Sequence, residues 1–181
     1  MVIIVPSPVT GKKPQIHESV FIAPTAVIIG DVTIGKGSNI WFGAVLRGDW
    51  GTIRIGANTS IQEHVAIHIE KGKSVIIGDN CIIGHHAMIH GPTIINNGCL
   101  VGIGAKVLHN TELGEGAMIG AGAVLVNKVI PSRTLALGIP AEIKKRLETE
   151  GKLIGEMTSG EYVENGVVFK EAFEKDPQFK L

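Results

Sequence analysis

Aromatic residues are scarce in this chain: five Phe, two Trp and one Tyr make up 4% of 181 residues. A core built on ring packing is thereby excluded, and an apolar interior has to rest on aliphatic side chains. Cysteine is nearly absent. Cys81 and Cys99 are too few for a disulfide framework, and without an export signal they read as the reduced thiols of a cytoplasmic protein. Neither sign of charge is in excess, because Lys+Arg and Asp+Glu both total 17. That balance argues against nucleic acid or an anionic membrane surface as a partner and favours small molecules. Long hydrophobic runs are missing too. The first residues are apolar only as far as Val5, before Pro6 and Pro8, which is too short for a signal-peptide core or a membrane span.

Glycine, by contrast, is abundant, with 24 residues scattered among many isoleucines. An aliphatic residue recurs every six positions at Ile16, Ile22, Ile28, Ile34, Ile40 and Leu46, and after a three-residue insertion at Ile55, Ile61 and Ile67. A four-residue insertion follows. The series resumes at Ile77 and runs through Ile83, Ile89, Ile95, Val101, Val107, Leu113 and Ile119 to Leu125. Two residues before most of these stands a small side chain, as at Ala26, Ser38, Ala44, Thr59, Ala87, Ala105, Ala117 and Ala123. Strand alternation turns both positions inward. Cys81 and Cys99 fall in these small slots, as packing residues rather than ligands. Glycine often follows the aliphatic residue, as at Gly35, Gly56, Gly78, Gly84, Gly102, Gly114 and Gly120, where its conformational freedom is expected to serve a tight corner. Short strand, corner, short strand is the hexapeptide signature of a parallel β-helix, in which each turn covers the apolar face of the one below.

The repeat resembles that of the hexapeptide β-helix proteins, and the resemblance implies three hexads to a triangular coil and a left-handed winding. Six coils follow from the aliphatic series. The expected fold is thus an all-β solenoid, a left-handed parallel β-helix over residues 1–140. Residues 141–181 form a tail packing on the solenoid as a C-terminal helical cap over its open end, with docking against a neighbouring subunit in addition. Residues 141–150 are rich in strong helix formers and read as a first helix; a second is expected over 161–174.

Five of the seven histidines, His64, His68, His85, His86 and His90, crowd into residues 64–90. His68 follows inward Ile67 and His90 follows inward Ile89. Their interval of 22 residues equals one coil plus the four-residue insertion, so the two side chains stack on adjacent coils. Parallel strands lie about 4.8 Å apart, which lets two imidazoles converge on one ion. The same count places Arg47 one coil earlier in that column. His85 belongs to the preceding hexad and projects from another part of the triangle. A threefold trimer resolves this, since a histidine of one subunit then faces the His68 and His90 pair of its neighbour. Three imidazoles with an open position make a catalytic rather than a structural zinc arrangement. His64 and His86 also stack by an interval of 22, so spacing alone does not choose the ligands.

Val45-Leu46-Arg47-Gly48-Asp49, Ile61-Gln62-Glu63 with His68 six residues after the glutamine, and Gly84-His85 followed by His90 resemble the motifs of the γ-class carbonic anhydrases. The likeness covers roughly residues 10–140. It implies that His68 and His90 of one subunit and His85 of the next bind zinc, with iron(II) or cobalt as alternatives that imidazoles suit equally. His64 and His86 are left outside the ligand set. It further implies an ion pair of Arg47 with Asp49 across the interface of a homotrimer, and a hydrogen bond from Gln62 to the metal-bound water. Glu63 is in phase with His85 and is expected to orient an imidazole or assist proton transfer. The reaction implied is hydration of carbon dioxide to bicarbonate by a metal-bound hydroxide, formed because the metal brings the pKa of water from about 15.7 to about 7. Two departures concern the proton. The stretch Glu70-Lys71-Gly72-Lys73 is shorter than the acidic loop of some members, and Trp50 stands beside Arg47-Gly48-Asp49, so Glu70, His86 and Tyr162 are the substitutes for a shuttle. Ser60 replaces an asparagine often found before Ile-Gln.

Fold does not decide function, and three other readings use the same scaffold. Acyl transfer needs a base and a coenzyme A groove but no metal. Metal-dependent hydrolysis of a small ester or thioester uses the same activated water. A catalytically silent metal-binding trimer uses the ion only to hold its subunits. Removal of metal by a chelator separates the first of these from the metal-dependent enzymes.

Overall fold

The computed structural model describes residues 2–148 and 151–179. Short strands wind as a left-handed parallel β-helix of about seven turns with three faces. On the first face Phe21–Ile22, Asn39–Ile40, Ser60–Ile61, Ile82–Ile83, Leu100–Val101, Met118–Ile119 and Thr134–Gly138 stack in parallel register. Ala66–Ile69, Met88–Gly91, Lys106–Val107 and Val124–Leu125 form the second, and Ser74–Ile77, Thr93–Ile95, Thr111–Leu113 and Val129–Ile130 the third. Two long strands, Val27–Ile34 and Val45–Ile55, bend round a corner and belong to both of these faces.

The sixfold aliphatic positions fill the interior. Ile28, Ile40, Leu46, Ile61, Ile83, Ile89, Ile95, Val101, Val107, Leu113 and Ile119 have no exposed surface, and neither do the small slots Ala26, Ala44, Cys81, Cys99, Ala105 and Ala117. Both cysteines are free, and the Cys99 thiol is pushed far above its ordinary pKa by its hydrogen bond with Cys81 and by burial, so it stays protonated. The solenoid extends one turn beyond the six coils counted from spacing, because Ile130 and Ala136 continue the buried columns after a step one residue short.

The glycines after the aliphatic residues serve a purpose other than the one expected. None of Gly35, Gly56, Gly78, Gly84, Gly102, Gly114 and Gly120 has a left-handed backbone. They are there because adjacent coils approach too closely for a side chain: a Cβ at Gly56 would lie 2.6 Å from the Gly78 carbonyl carbon, and one at Gly102 would lie 2.6 Å from the Ala121 nitrogen.

The tail departs from expectation. The described part of the expected first helix, residues 141–148, is not helical. Ala141–Arg146 is a strand antiparallel to Thr134–Gly138, and the last two residues of the expected helix lie outside the described ones. Helix propensity yields here to the unpaired edge of the last coil, whose backbone groups need partners. Lys144, Lys145 and Arg146 then leave a charged outer edge, which discourages further strand addition. The helix expected at 161–174 is present as Glu156–Lys175. It lies along the first face rather than over the end. Leu153 and Gly155 enter it against Gly98, and Phe169 and Phe173 reach back to Phe21 in the first coil. The scarce aromatics collect in this seam: Phe21, Trp41, Phe42, Tyr162, Phe169 and Phe173 pack together, several edge to face.

Two predictions follow from this packing. Ile83→Ala should lower the unfolding free energy by about 2–5 kcal/mol in urea denaturation, because stacked coils collapse poorly into a cavity. The second concerns Asp31, which accepts Lys12 Nζ at 2.6 Å and Arg54 Nη1 at 2.7 Å, tying the N-terminal segment to two coils. Burial raises its pKa, but the hydrogen bonds and charges of Arg54 and Lys12 outweigh this and hold it below the ordinary aspartate value. With the folded pKa below the unfolded one, the stabilisation is present above the ordinary aspartate range and is lost as pH falls through the folded value. Melting temperatures across an acid series should therefore fall less steeply for Asp31→Asn than for the wild type.

Candidate metal centre

The site begins with register. Arg47 pairs with His68 and His68 with His90 across three successive strands of the second face, so the column expected from spacing is present. The His68 and His90 rings sit with centroids 5.4 Å apart and planes at 67°. The two insertions stack at the neighbouring corner, where Gly72 N donates to the Trp50 carbonyl at 2.9 Å and Thr52 N to that of Lys73 at 3.0 Å. One insertion delivers Asp49 and the other Glu70.

Asp49 is buried, with its carboxylate at the head of the column. Oδ2 accepts Arg47 Nη1 at 2.6 Å, and Oδ1 lies 3.1 Å from His68 Nε2. Burial alone would raise the Asp49 pKa, yet the hydrogen bonds from Arg47 and His68 and the Arg47 charge hold it below the ordinary range. Burial likewise lowers the pKa of His68; Arg47 adds to this, and the Asp49 contact offsets it only in part. His68 is thereby held neutral to lower pH, the form that binds a metal. The Arg47 and Asp49 pair expected across a subunit interface is made here inside one chain. A guanidinium two residues away on the same strand reaches the carboxylate without help.

His85 sits on the other side of the corner. Its backbone N donates to Gln62 Oε1 at 3.1 Å, and its Nδ1 lies 2.7 Å from Glu63 Oε2. With Nδ1–H donating to the carboxylate, Nε2 is left as the atom that can bind a metal, the usual way an acidic partner sets the tautomer of a metal-binding imidazole. Gln62 is buried and Glu63 half-buried. His64 and His86 are exposed and stacked on each other, with centroids 4.9 Å apart.

Among the described residues, the set of three potential ligands gathered within 4.8 Å in one chain is Glu70, His90 and His109. The structure thus unites His68 with His90 but does not bring His85 to them. His109 escaped sequence reading, because one coil of 18 residues beyond His90 leads to Leu108, and interval counting passes over the histidine that follows it. Tyr162, on the helix, lines a cavity of about 240 Å³ together with Gln62, His85, Ile82, Leu100 and Ile103.

A family model described as bacterial transferase hexapeptide (six repeats) matches residues 13–48 and 92–127. A carbonic anhydrase of Geobacillus kaustophilus is 40% identical over 163 residues, covering 90% of this chain and 90% of the relative. The chain belongs to the γ-class carbonic anhydrase family. Gamma carbonic anhydrase 2, mitochondrial, of Arabidopsis thaliana is 40% identical over 78% of this chain, and the match spans 53% of that relative, about half its length. Transferase-named relatives share the scaffold: the crystal structure of a hexapeptide transferase family protein from Anaplasma phagocytophilum has a TM-score of 0.80 at 32% identity, covering 94% of this chain and 98% of that one.

If His85 is a zinc ligand, the Glu63 contact at its Nδ1 makes Glu63→Gln weaken zinc binding by about 10- to 100-fold, read by competition with a chromophoric chelator. Unchanged affinity would mean that His85 is not a ligand.

Proposed function

We propose that the protein is a γ-type carbonic anhydrase that interconverts carbon dioxide and bicarbonate, working as a homotrimer. In this reading a divalent ion is held by His68 and His90 of one subunit and His85 of an adjacent copy. The observation that carries it is the incomplete pair: two imidazoles in register on one face, and a third, with its tautomer already set, on another face of the same chain. The donor set fits zinc, iron(II) or cobalt, all of which accept neutral imidazole. When bound, such an ion supplies the Lewis acidity that makes water acidic near neutral pH.

The remaining residues act around that centre. Arg47 clamps Asp49, which in turn orients His68. Glu63 orients His85. Gln62 spends its Oε1 on the His85 backbone and keeps its amide N–H groups to hold an oxygen of carbon dioxide or bicarbonate. Glu70 and His109, gathered at His90, lie where a proton leaves for solvent. Two free buried thiols accord with a reducing compartment, which we take to be the cytoplasm. No helix among the described residues is long and apolar enough to cross a membrane.

One observation favours a second reading. The cavity lined by Ile82, Leu100, Ile103 and Tyr162 beside Gln62 and His85 is about 240 Å³, larger than carbon dioxide needs. Metal-dependent hydrolysis of a small ester or thioester suits such a space.

Stopped-flow carbon dioxide hydration by protein loaded anaerobically with zinc or iron(II) tests the main reading. Activity is expected with metal and should vanish in His90→Ala or on chelation. A fully loaded protein that hydrates nothing sinks it. Turnover of a short thioester by that same protein would then support hydrolysis, whereas acyl transfer that survives the chelator would support neither.

A further inference from the structure

Between Ile3 and Lys13 the chain lies on the surface, and Ser7 is the one residue there that is buried, at 2% exposure. A serine hydroxyl has one proton to give and two lone pairs to accept with, and Ser7 uses all three. Its Oγ accepts Val9 N–H at 3.1 Å and Thr10 N–H at 3.0 Å, and it donates to the Asp49 carbonyl oxygen at 2.9 Å. The first two bonds are local. Residues 7–12 are also closed into a small loop by their own backbone, through Ser7 N to Lys12 O at 2.8 Å and Gly11 N to Ser7 O at 2.9 Å. Lys12 ties that loop to Asp31 at 2.6 Å. Neither closing the loop nor fastening it to the solenoid requires the bond to Asp49.

Asp49 is the residue that needs it. Toward Val27–Ile34 the strand register runs to Gly48 and resumes at Ile53; on the opposite side it runs to Arg47 and resumes at Thr52. Asp49, Trp50 and Gly51 thus lie outside the register that aligns Arg47, His68 and His90 on successive coils. Yet the Asp49 carboxylate meets two partners at once, Arg47 Nη1 at 2.6 Å and His68 Nε2 at 3.1 Å. An aspartate side chain is short, so a shift of its backbone moves both oxygens. A displacement of about 0.5 Å takes the longer contact out of hydrogen-bonding range. With no strand partner of its own, the Asp49 peptide is held from the N-terminal segment.

We propose that Ser7 is a positioning residue of the metal centre: by fixing the Asp49 carbonyl, it fixes the carboxylate that orients His68. Outer partners of this kind set the direction of a ligand's lone pair, and metal affinity falls when they are lost. The inference rests on the reading of His68 as a metal ligand. It adds a dependence of the site on a surface segment 42 residues away in sequence.

The test is a double-mutant cycle on the full-length protein, with zinc affinity read by competition with a chromophoric chelator and folding checked by circular dichroism. Ser7→Ala should weaken zinc binding by about 10-fold, the low end for an outer partner. In an Asp49→Ala background the same substitution should change affinity less than twofold, because its effect passes through that carboxylate. Lys12→Met loosens the same loop without touching Asp49 and should leave affinity unchanged while lowering the melting temperature. An equal loss from Ser7→Ala in both backgrounds would overturn the proposal, since the serine would then act through general stability. So would an unchanged affinity in Ser7→Ala. Should Asp49→Ala not fold, Lys12→Met decides: a loss matching that of Ser7→Ala overturns the proposal, and a loss confined to Ser7→Ala supports it. His90→Ala separates the two levels. Zinc affinity that does not depend on His90 removes the metal reading and this inference with it, whereas His90-dependent binding that ignores Ser7 removes the inference alone.

Discussion

Parallel hydrogen bonding between coils of constant phase is the constraint on which this protein depends. Each coil donates to the one above through backbone groups, so a residue's position within a hexad determines both the face it occupies and the residues above and below it. The interior is a set of aliphatic columns for that reason. The site is a column too: Arg47, His68 and His90 meet because the ladder sets them in register on successive coils. The candidate site is thus arranged at strand spacing, on paired strands rather than on loops.

Where the chain breaks phase, it does so in step. The insertions that carry Asp49 and Glu70 occur on successive coils and bond to each other, so the extra residues form a paired ledge rather than two loose loops. That ledge brings a buried carboxylate to the head of the histidine column. Arg47 and His68 keep it ionised against the cost of burial, and burial with the Arg47 charge keeps His68 neutral. A charged clamp beside the neutral His68 imidazole is the electrostatic preparation a divalent ion needs.

The tail obeys different physics. A solenoid built from aliphatic columns has two open ends and exposed outer faces, and its few aromatics are spent on one of these faces. Phe21, Trp41 and Phe42 meet Tyr162, Phe169 and Phe173 of the helix along a flank, while the last coil is finished by a strand instead. The helix also walls the cavity beside Gln62 and His85, so the part of the chain without any repeat contributes to the surroundings of the candidate site.

The sequence by itself determined the solenoid, its buried columns and the stacking of His68 on His90, because a strict period translates directly into register once the two insertions are counted. Spacing also carried Arg47 into that column and Glu63 into phase with His85. It did not carry the reason for the glycines at Gly56 and Gly102, which lies in the approach of two backbones. Nor did it carry the strand at Ala141–Arg146, where an unpaired edge overrode helix propensity. The bond of Asp49 to Arg47 within one chain, the Glu63 contact that sets the His85 tautomer and the gathering of Glu70 and His109 at His90 were decided by tertiary structure alone. Side-chain reach across a corner depends on how insertions fold, and a period has no information about residues that depart from it.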